Sequence, residues 1–297
     1  MAWNRKKRLE LLPDSQAPAD VAEIYSDIRR RLGLSITPTY FQALAIDPAF
    51  LRLHWQALCP VVRTKSFWDN AERVRAEAYT ALHNYFNIPD FCRNLAEEAL
   101  PVSSRKELSE VVDHLCSRKA ATLLISALQA QAFEGSALHN PSPTLLTTEP
   151  PKAPDGQLTL VPEQSVSANT RHVFDEIRRA LDLPLLTSDY YALARWPEFL
   201  DALWKALRPH IRSFLYSEHR LAIRESAMQS AATMPVLSSL SSQALEDVGI
   251  DATRVSTLVH INEVFADVMA ANLVAITFAH IALEGGNGRD YDITRVA

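Results

Sequence analysis

Glycine is scarce, at 7 of 297 residues. A chain organised by phosphate-cradling loops or dinucleotide-binding turns needs glycine where the backbone turns sharply or approaches a ligand. Neither G-x-G-x-x-G nor a phosphate loop occurs, and H-E-x-x-H and G-x-S-x-G are also missing. Three cysteines, Cys59, Cys92 and Cys116, form an odd set without paired spacing. That argues against a disulfide framework, a four-thiolate zinc site or a thiol peroxidase, and for a reducing cytoplasm. The net charge of -5 offers no attraction to nucleic acid or an anionic membrane. The longest apolar run, Leu273 to Leu283, is about half of a membrane span and contains His280. MAWNRKKRLELLP at the N-terminus has positive charge but no apolar stretch behind it to read as a secretion signal. The expectation is a soluble cytoplasmic protein with no cofactor, metal, nucleic acid or membrane partner.

What is abundant favours helix. Ala, Leu, Arg and Glu dominate, and no alternating strand pattern of useful length appears. VAEIYSDIRRRL places Val21, Ile24, Tyr25, Ile28 and Leu32 on one face, with a cap at or near Asp20. Pro48 begins another helix, with Phe50, Leu51, His54, Trp55 and Leu58 spaced as a buried stripe, and Pro60 ends it. Phe67 to Phe86 reads as one long helix, with Trp68, Ala71, Val74, Ala78 and Leu82 inward. Two or three more follow, one opened by a capping box of Ser103 or Ser104 with Glu107. Residues 133–170 are rich in Pro, Thr, Ser and Gly and too long for an ordinary loop. They divide the chain into a helical repeat over 1–132, an extended connector, and a second repeat over 171–297.

The repeat is visible by sliding the sequence 149 residues along itself. Ile24 to Leu58 then lies over Val173 to Leu207 without a gap, with 14 of 35 positions identical, against roughly two or three expected by chance. Further on, Arg63 and Arg75 match Arg212 and Arg224. The fold class expected is therefore all-α, a pseudo-twofold pair of related bundles rather than a solenoid.

Within that repeat Asp189 falls opposite Tyr40. A residue required by the fold belongs in both copies, so the asymmetric acid is the better functional candidate. It sits in LPLLTSDYYALARWP, among apolar and aromatic residues, where a bare charge costs several kcal/mol. Thr187, Ser188 and Asp189 also suit a helix start. With Ser188 and Thr39 as caps in the two copies, Asp189 is left in the first turn, stabilised as an anion by the dipole. His114 lies on a later helix and reads equally well as a structurally bonded histidine. His83, His210 and His219 have no metal-ligand spacing. The stripe Tyr190, Tyr191, Trp196, Phe199 and Trp204 reads as core, and Gly285 to Gly288 as a helix stop.

The segment SDYYALARWP, set in an all-helical repeat with a Pro-rich connector, resembles the group I 2-haloacid dehalogenases. LLISAL after Lys119 is a second trace of the resemblance, which spans nearly the whole chain. It implies an active site between two helical repeats, homodimerisation, and an aspartate that activates water for direct attack on the halogen-bearing carbon, with inversion. Asp189 takes that part, and Ser188 helps to hold the carboxylate of a small 2-haloalkanoic acid. Where the family has an asparagine partnering the acid, alignment on Lys119 places His114. Ile36 stands for a pocket tryptophan and Asn262 for a pocket tyrosine. Thr187 occupies the position associated with enantiomer choice, and Thr39 and Tyr40 complete the expected lining. These departures leave a second expectation open: a diverged member that binds another small carboxylate without dehalogenating it.

Overall fold

Twelve α-helices and three short 3-10 helices make up the regular structure of the computed structural model, which describes residues 9–97, 100–135, 158–183 and 185–287; no strand occurs among them. Much of the expected connector, residues 136–157, lies outside the described residues, as do residues 1–8 of the N-terminal arm. The first six helices are α1 (Ala19–Leu32), α2 (Thr39–Leu44), α3 (Pro48–Val62), α4 (Lys65–Tyr85), α5 (Phe91–Asn94) and α6 (Val102–Glu134). The second six are α7 (Ala168–Ala180), α8 (Ser188–Leu193), α9 (Pro197–Ile211), α10 (Phe214–Ala232), α11 (Ser242–Asp247) and α12 (Ala252–Leu283).

Periodicity placed the inward faces well. Phe50, Leu51, His54, Trp55 and Leu58 are buried on α3, and Trp68, Ala71, Val74, Ala78 and Leu82 on α4. Helix ends were read less well. Pro60 and Pro209 sit inside the last turns of α3 and α9 instead of ending them. α1 starts at Ala19 after Pro18, so Asp20 is a first-turn residue and not the cap. α6 starts at Val102, which puts Ser103 and Ser104 inside the helix, while Glu107 pairs with Arg195 at 2.7 Å. Side chains that accept a backbone N–H at a helix start include Asp47, Asp90, Ser167 and Ser241, and Thr64, Ser213 and Asp251 ahead of α4, α10 and α12.

The described residues fall into two compact units. Among them, one draws on residues 9–72, 121–135 and 226–269, the other on 73–97, 100–120, 158–183, 185–225 and 270–287. In the first unit α1 packs on α3, and Trp55 Nε1 donates to Asp27 Oδ2 at 2.8 Å. The amide of Leu12 there donates to Gln42 O at 3.0 Å, and Arg29 pairs with Asp14. In the second unit α7 packs on α9, and Trp204 Nε1 donates to Glu176 Oε2 at 2.8 Å. Its Val161 amide donates to Tyr191 O at 3.0 Å, and Arg178 pairs with Glu163 at 2.9 Å.

α12 is apolar nearly all round, which is the pattern of a helix buried on every side. It is long and apolar enough to cross a membrane by length and composition, and 83% of its most apolar window is buried inside the protein. The same helix carries two buried asparagines, Asn262 and Asn272, at 2% and 0% exposure. Unpartnered amides there would cost about 1–3 kcal/mol each, so their partners matter to the site.

Replacing Phe199, which is fully buried, by Ala should lower the unfolding free energy by about 3–5 kcal/mol. Phe214→Ala, at a side chain 77% exposed, should change it by no more than about 0.5 kcal/mol. Urea denaturation of the two variants checks the assignment of the core.

Candidate active site

The segment around Asp189 folds as its sequence directs. Thr187 is extended (φ -83°, ψ 163°) and precedes α8, which lasts six residues before Trp196 turns out of helix ahead of Pro197; a residue before proline disfavours the helical region. The expected caps shift by one position. Thr187, not Ser188, occupies the cap of α8, and Pro38, not Thr39, that of α2; neither makes a side-chain cap. Thr187 spends its hydroxyl on Asp189 instead, donating from Oγ1 to Oδ2 at 2.7 Å.

Asp189 is 3% exposed. Its countercharge comes from Lys119 of α6, whose Nζ lies 2.7 Å from the same Oδ2. Behind Thr187, Asn272 of α12 donates from Nδ2 to Thr187 Oγ1 at 2.9 Å, and Tyr190 Oη donates to Asn272 Oδ1 at 3.1 Å. Burial pushes the Tyr190 phenol well above its ordinary pKa, with the charges of Tyr216 and Asp189 adding to the effect, so it stays a donor. All five residues belong to the second unit. Oδ1 of Asp189 has no hydrogen-bond partner among the described residues.

His114 is also in the second unit and buried, at 6% exposure. It makes no hydrogen bond or ion pair with Asp189 among the described residues. Burial, with help from the nearby Arg118 charge, lowers its pKa to about 4, so at neutral pH it is an uncharged imidazole. Ser188, next to the acid, is half-buried.

The remaining expected residues are in the first unit. Tyr40 Oη donates to Asn262 Oδ1 at 2.8 Å, Ser126 Oγ donates to the same oxygen at 2.9 Å, and Asn262 Nδ2 donates to Ser126 O at 3.0 Å. Tyr40, Asn262 and Ser126 are all buried, and desolvation holds the Tyr40 phenol well above its usual pKa. Ile36 and Thr39 are half-buried in and just after the turn leading to α2. No group of three His, Cys, Asp or Glu side chains among the described residues is placed to hold a metal. A cleft of about 530 Å³ in the second unit is lined by Glu176, Arg179, Trp204, Arg208 and Arg212, and by none of the expected site residues. Glu176 there is already engaged by Trp204 and Arg208.

Lys119 and Asn272 are functional candidates that reading the sequence passed over. Each had a signal. Lys119, next to Arg118, is the last cation before the apolar run that starts at Ala120, and Asn272 is a lone amide inside a run of apolar residues.

The model of the family described as "Halocarboxylic acid dehydrogenase DehI" matches residues 35–190, more than half of the chain. This protein belongs to the DehI family. Its DehI-family relatives include an (R)-2-haloacid dehalogenase of Pseudomonas putida, 22% identical over 276 residues and covering 90% of each chain. Another (R)-2-haloacid dehalogenase, from Rhizobium sp. (strain NHG3), is 22% identical over 76% of this chain and 88% of its own. A D-2-haloacid dehalogenase solved in complex with L-LA has the same fold, with a TM-score of 0.84 at 20% identity, covering 94% of this chain and 97% of its own. A mutant of a D-2-haloacid dehalogenase solved with D-2-CPA superposes with a TM-score of 0.81 at the same identity and coverage.

The His114 environment predicts an acid-labile fold. Its folded pKa of about 4 lies below the roughly 6.5 of an unfolded histidine, so between these values the unfolded chain binds more protons. Stability from this group is complete above about pH 6.5 and is lost as pH falls toward 4. Buried His54, with a pKa lowered to about 3 by desolvation, acts in the same direction. Unfolding free energies at pH 7 and pH 4.5 should differ less in His114→Gln than in the natural protein, by on the order of 2 kcal/mol.

Proposed function

We propose that this protein hydrolyses short 2-haloalkanoic acids, with Asp189 as the base that activates the attacking water. The observation that carries the reading is a buried carboxylate bound through one oxygen, with its other oxygen unbonded among the described residues, in a chain of the DehI family. Water oxygen bonds to the halogen-bearing carbon as the carbon–halogen bond breaks. The halide leaves with the bonding electrons, the water proton passes to Asp189, and the carbon inverts. Positioning and general-base action are the two rate contributions this asks of the protein. In this reading Ser188 meets the substrate carboxylate, and neutral His114 orients water where relatives use an asparagine. Ile36, Thr39, Tyr40 and Asn262 stay in the proposal as substrate-side residues on the strength of the family resemblance.

The same proposal includes an origin by duplication, with two repeats joined by a connector over 133–170. Its support is recurrence at a spacing of 149 residues: Leu12–Gln42 with Val161–Tyr191, Asp27–Trp55 with Glu176–Trp204, and Asp14–Arg29 with Glu163–Arg178. Cytoplasmic residence is supported by the free thiols of Cys59, Cys92 and Cys116, and homodimerisation by the family resemblance.

One observation favours a second reading. Asn262, in the place of a pocket tyrosine, has its amide engaged by Tyr40 and Ser126. A diverged protein that binds a small carboxylate without turnover fits that, and would show ligand-induced thermal stabilisation without halide release.

Chloride release from (R)- and (S)-2-chloropropionate separates the two readings. Asp189→Asn should lower kcat by about 10²–10⁴-fold with the fold retained by circular dichroism. Turnover unchanged in that variant would remove Asp189 from the base role.

A further inference from the structure

We propose that Lys119 and a hydrogen-bond relay from Tyr190 through Asn272 to Thr187 dictate which oxygen of Asp189 takes up the proton, reserving Oδ1 as the base atom. The inference rests on Asp189 acting as the base and carries that reading down to a single atom. It also moves Thr187 from lining the substrate to positioning the acid.

The polarity of the relay follows from counting hydrogens. The Tyr190 phenol has one hydrogen and donates it to Asn272 Oδ1, which turns the Asn272 amide N–H₂ toward Thr187. Thr187 Oγ1 therefore accepts from Asn272, and its own single hydrogen points to Asp189 Oδ2. Lys119 Nζ, which has donors only, meets the same oxygen from α6. Both donors that reach Asp189, the Thr187 hydroxyl and the Lys119 ammonium, are directed at Oδ2. A proton placed on Oδ2 would face the ammonium and leave the Thr187 hydrogen without an acceptor, inside a core where unmade hydrogen bonds are costly. Oδ1, unbonded among the described residues, has neither obstacle. The proton taken from water goes there, and Oδ2 remains the anchor.

Lys119 of α6 pairs with Asp189, and the Asp189 charge is felt by Cys116 of α6 and by Tyr190 beside it on α8. α12 contributes the neutral amide of Asn272, and Tyr216 of α10 acts on Tyr190 from behind. Burial pushes the Cys116 thiol up to about 12 and holds Tyr190 protonated.

The test follows Asp189 itself and needs no turnover. The full-length protein is labelled with [γ-¹³C]aspartate, the Asp189 signal is assigned by its loss in Asp189→Asn, and its pH titration is recorded. Removing the charge in Lys119→Met should raise the titration midpoint by about one to three pH units, and Lys119→Arg should restore most of it. Thr187→Val, which keeps the shape and Lys119 but removes the donor, should raise it by a smaller amount. Where the protein releases halide, the acid limb of kcat should move by the same amount in each variant, with KM changing little. A midpoint unmoved in Lys119→Met overturns the proposal, and if that variant does not fold, one unmoved in Thr187→Val does so. Absence of halide release by the natural protein would count against the proposed dehalogenation alone, because the titration stands without it.

Discussion

A carboxylate in an apolar interior has to find a cation. Unpaired, the Asp189 charge would cost several kcal/mol in lost hydration, and an ion pair recovers that only when its geometry is good and the remaining hydrogen bonds are made. Lys119 and Thr187 supply both conditions at one oxygen. The dipole of α8, a helix of only six residues, plays a smaller part than the sequence led us to expect; the countercharge comes from another helix. α6 must therefore hold Lys119 in register with α8, and α12 must present Asn272 to Thr187. The site depends on three helices meeting at one acid.

Such a site constrains the long helices that build it. The most apolar stretch of α12 is largely buried, so the buried polar residues on this helix need internal partners. Asn262 and Asn272 meet that demand in different ways. Asn262 closes a network with Tyr40 and Ser126 in which its amide is engaged by protein. Asn272 ends its network on a charge, through Thr187. The first arrangement contributes packing and specificity to one unit, while the second ties α12 to the buried Asp189 carboxylate. Preorganisation of that kind matters to catalysis because the geometry is set before the substrate arrives.

Much of this was legible in the amino-acid sequence, for identifiable reasons. Helical periodicity reports burial, so the inward faces of α3 and α4 were read nearly residue by residue. The acid standing opposite Tyr40 at the 149-residue offset drew attention to Asp189, which is buried against Lys119. The family resemblance followed from SDYYALARWP and agrees with the family assignment. Helix ends were harder, since proline is tolerated in a last turn and Ser or Thr near a terminus has several acceptors to choose from. Lys119 and Asn272 escaped because spacing along one helix carries no information about a partner on another. Lys119 lies 70 residues before the acid it neutralises and Asn272 lies 85 after the hydroxyl it orients. Only packing brings them together.

The central claim is that Lys119 and Asp189 form one electrostatic unit in the core, and a double-mutant cycle on unfolding free energy measures that coupling directly. Lys119→Met and Asp189→Leu should each destabilise by about 3–5 kcal/mol, because each strands a buried charge. The double variant should lose no more than either single one. Losses that simply add would show that the two charges do not depend on each other.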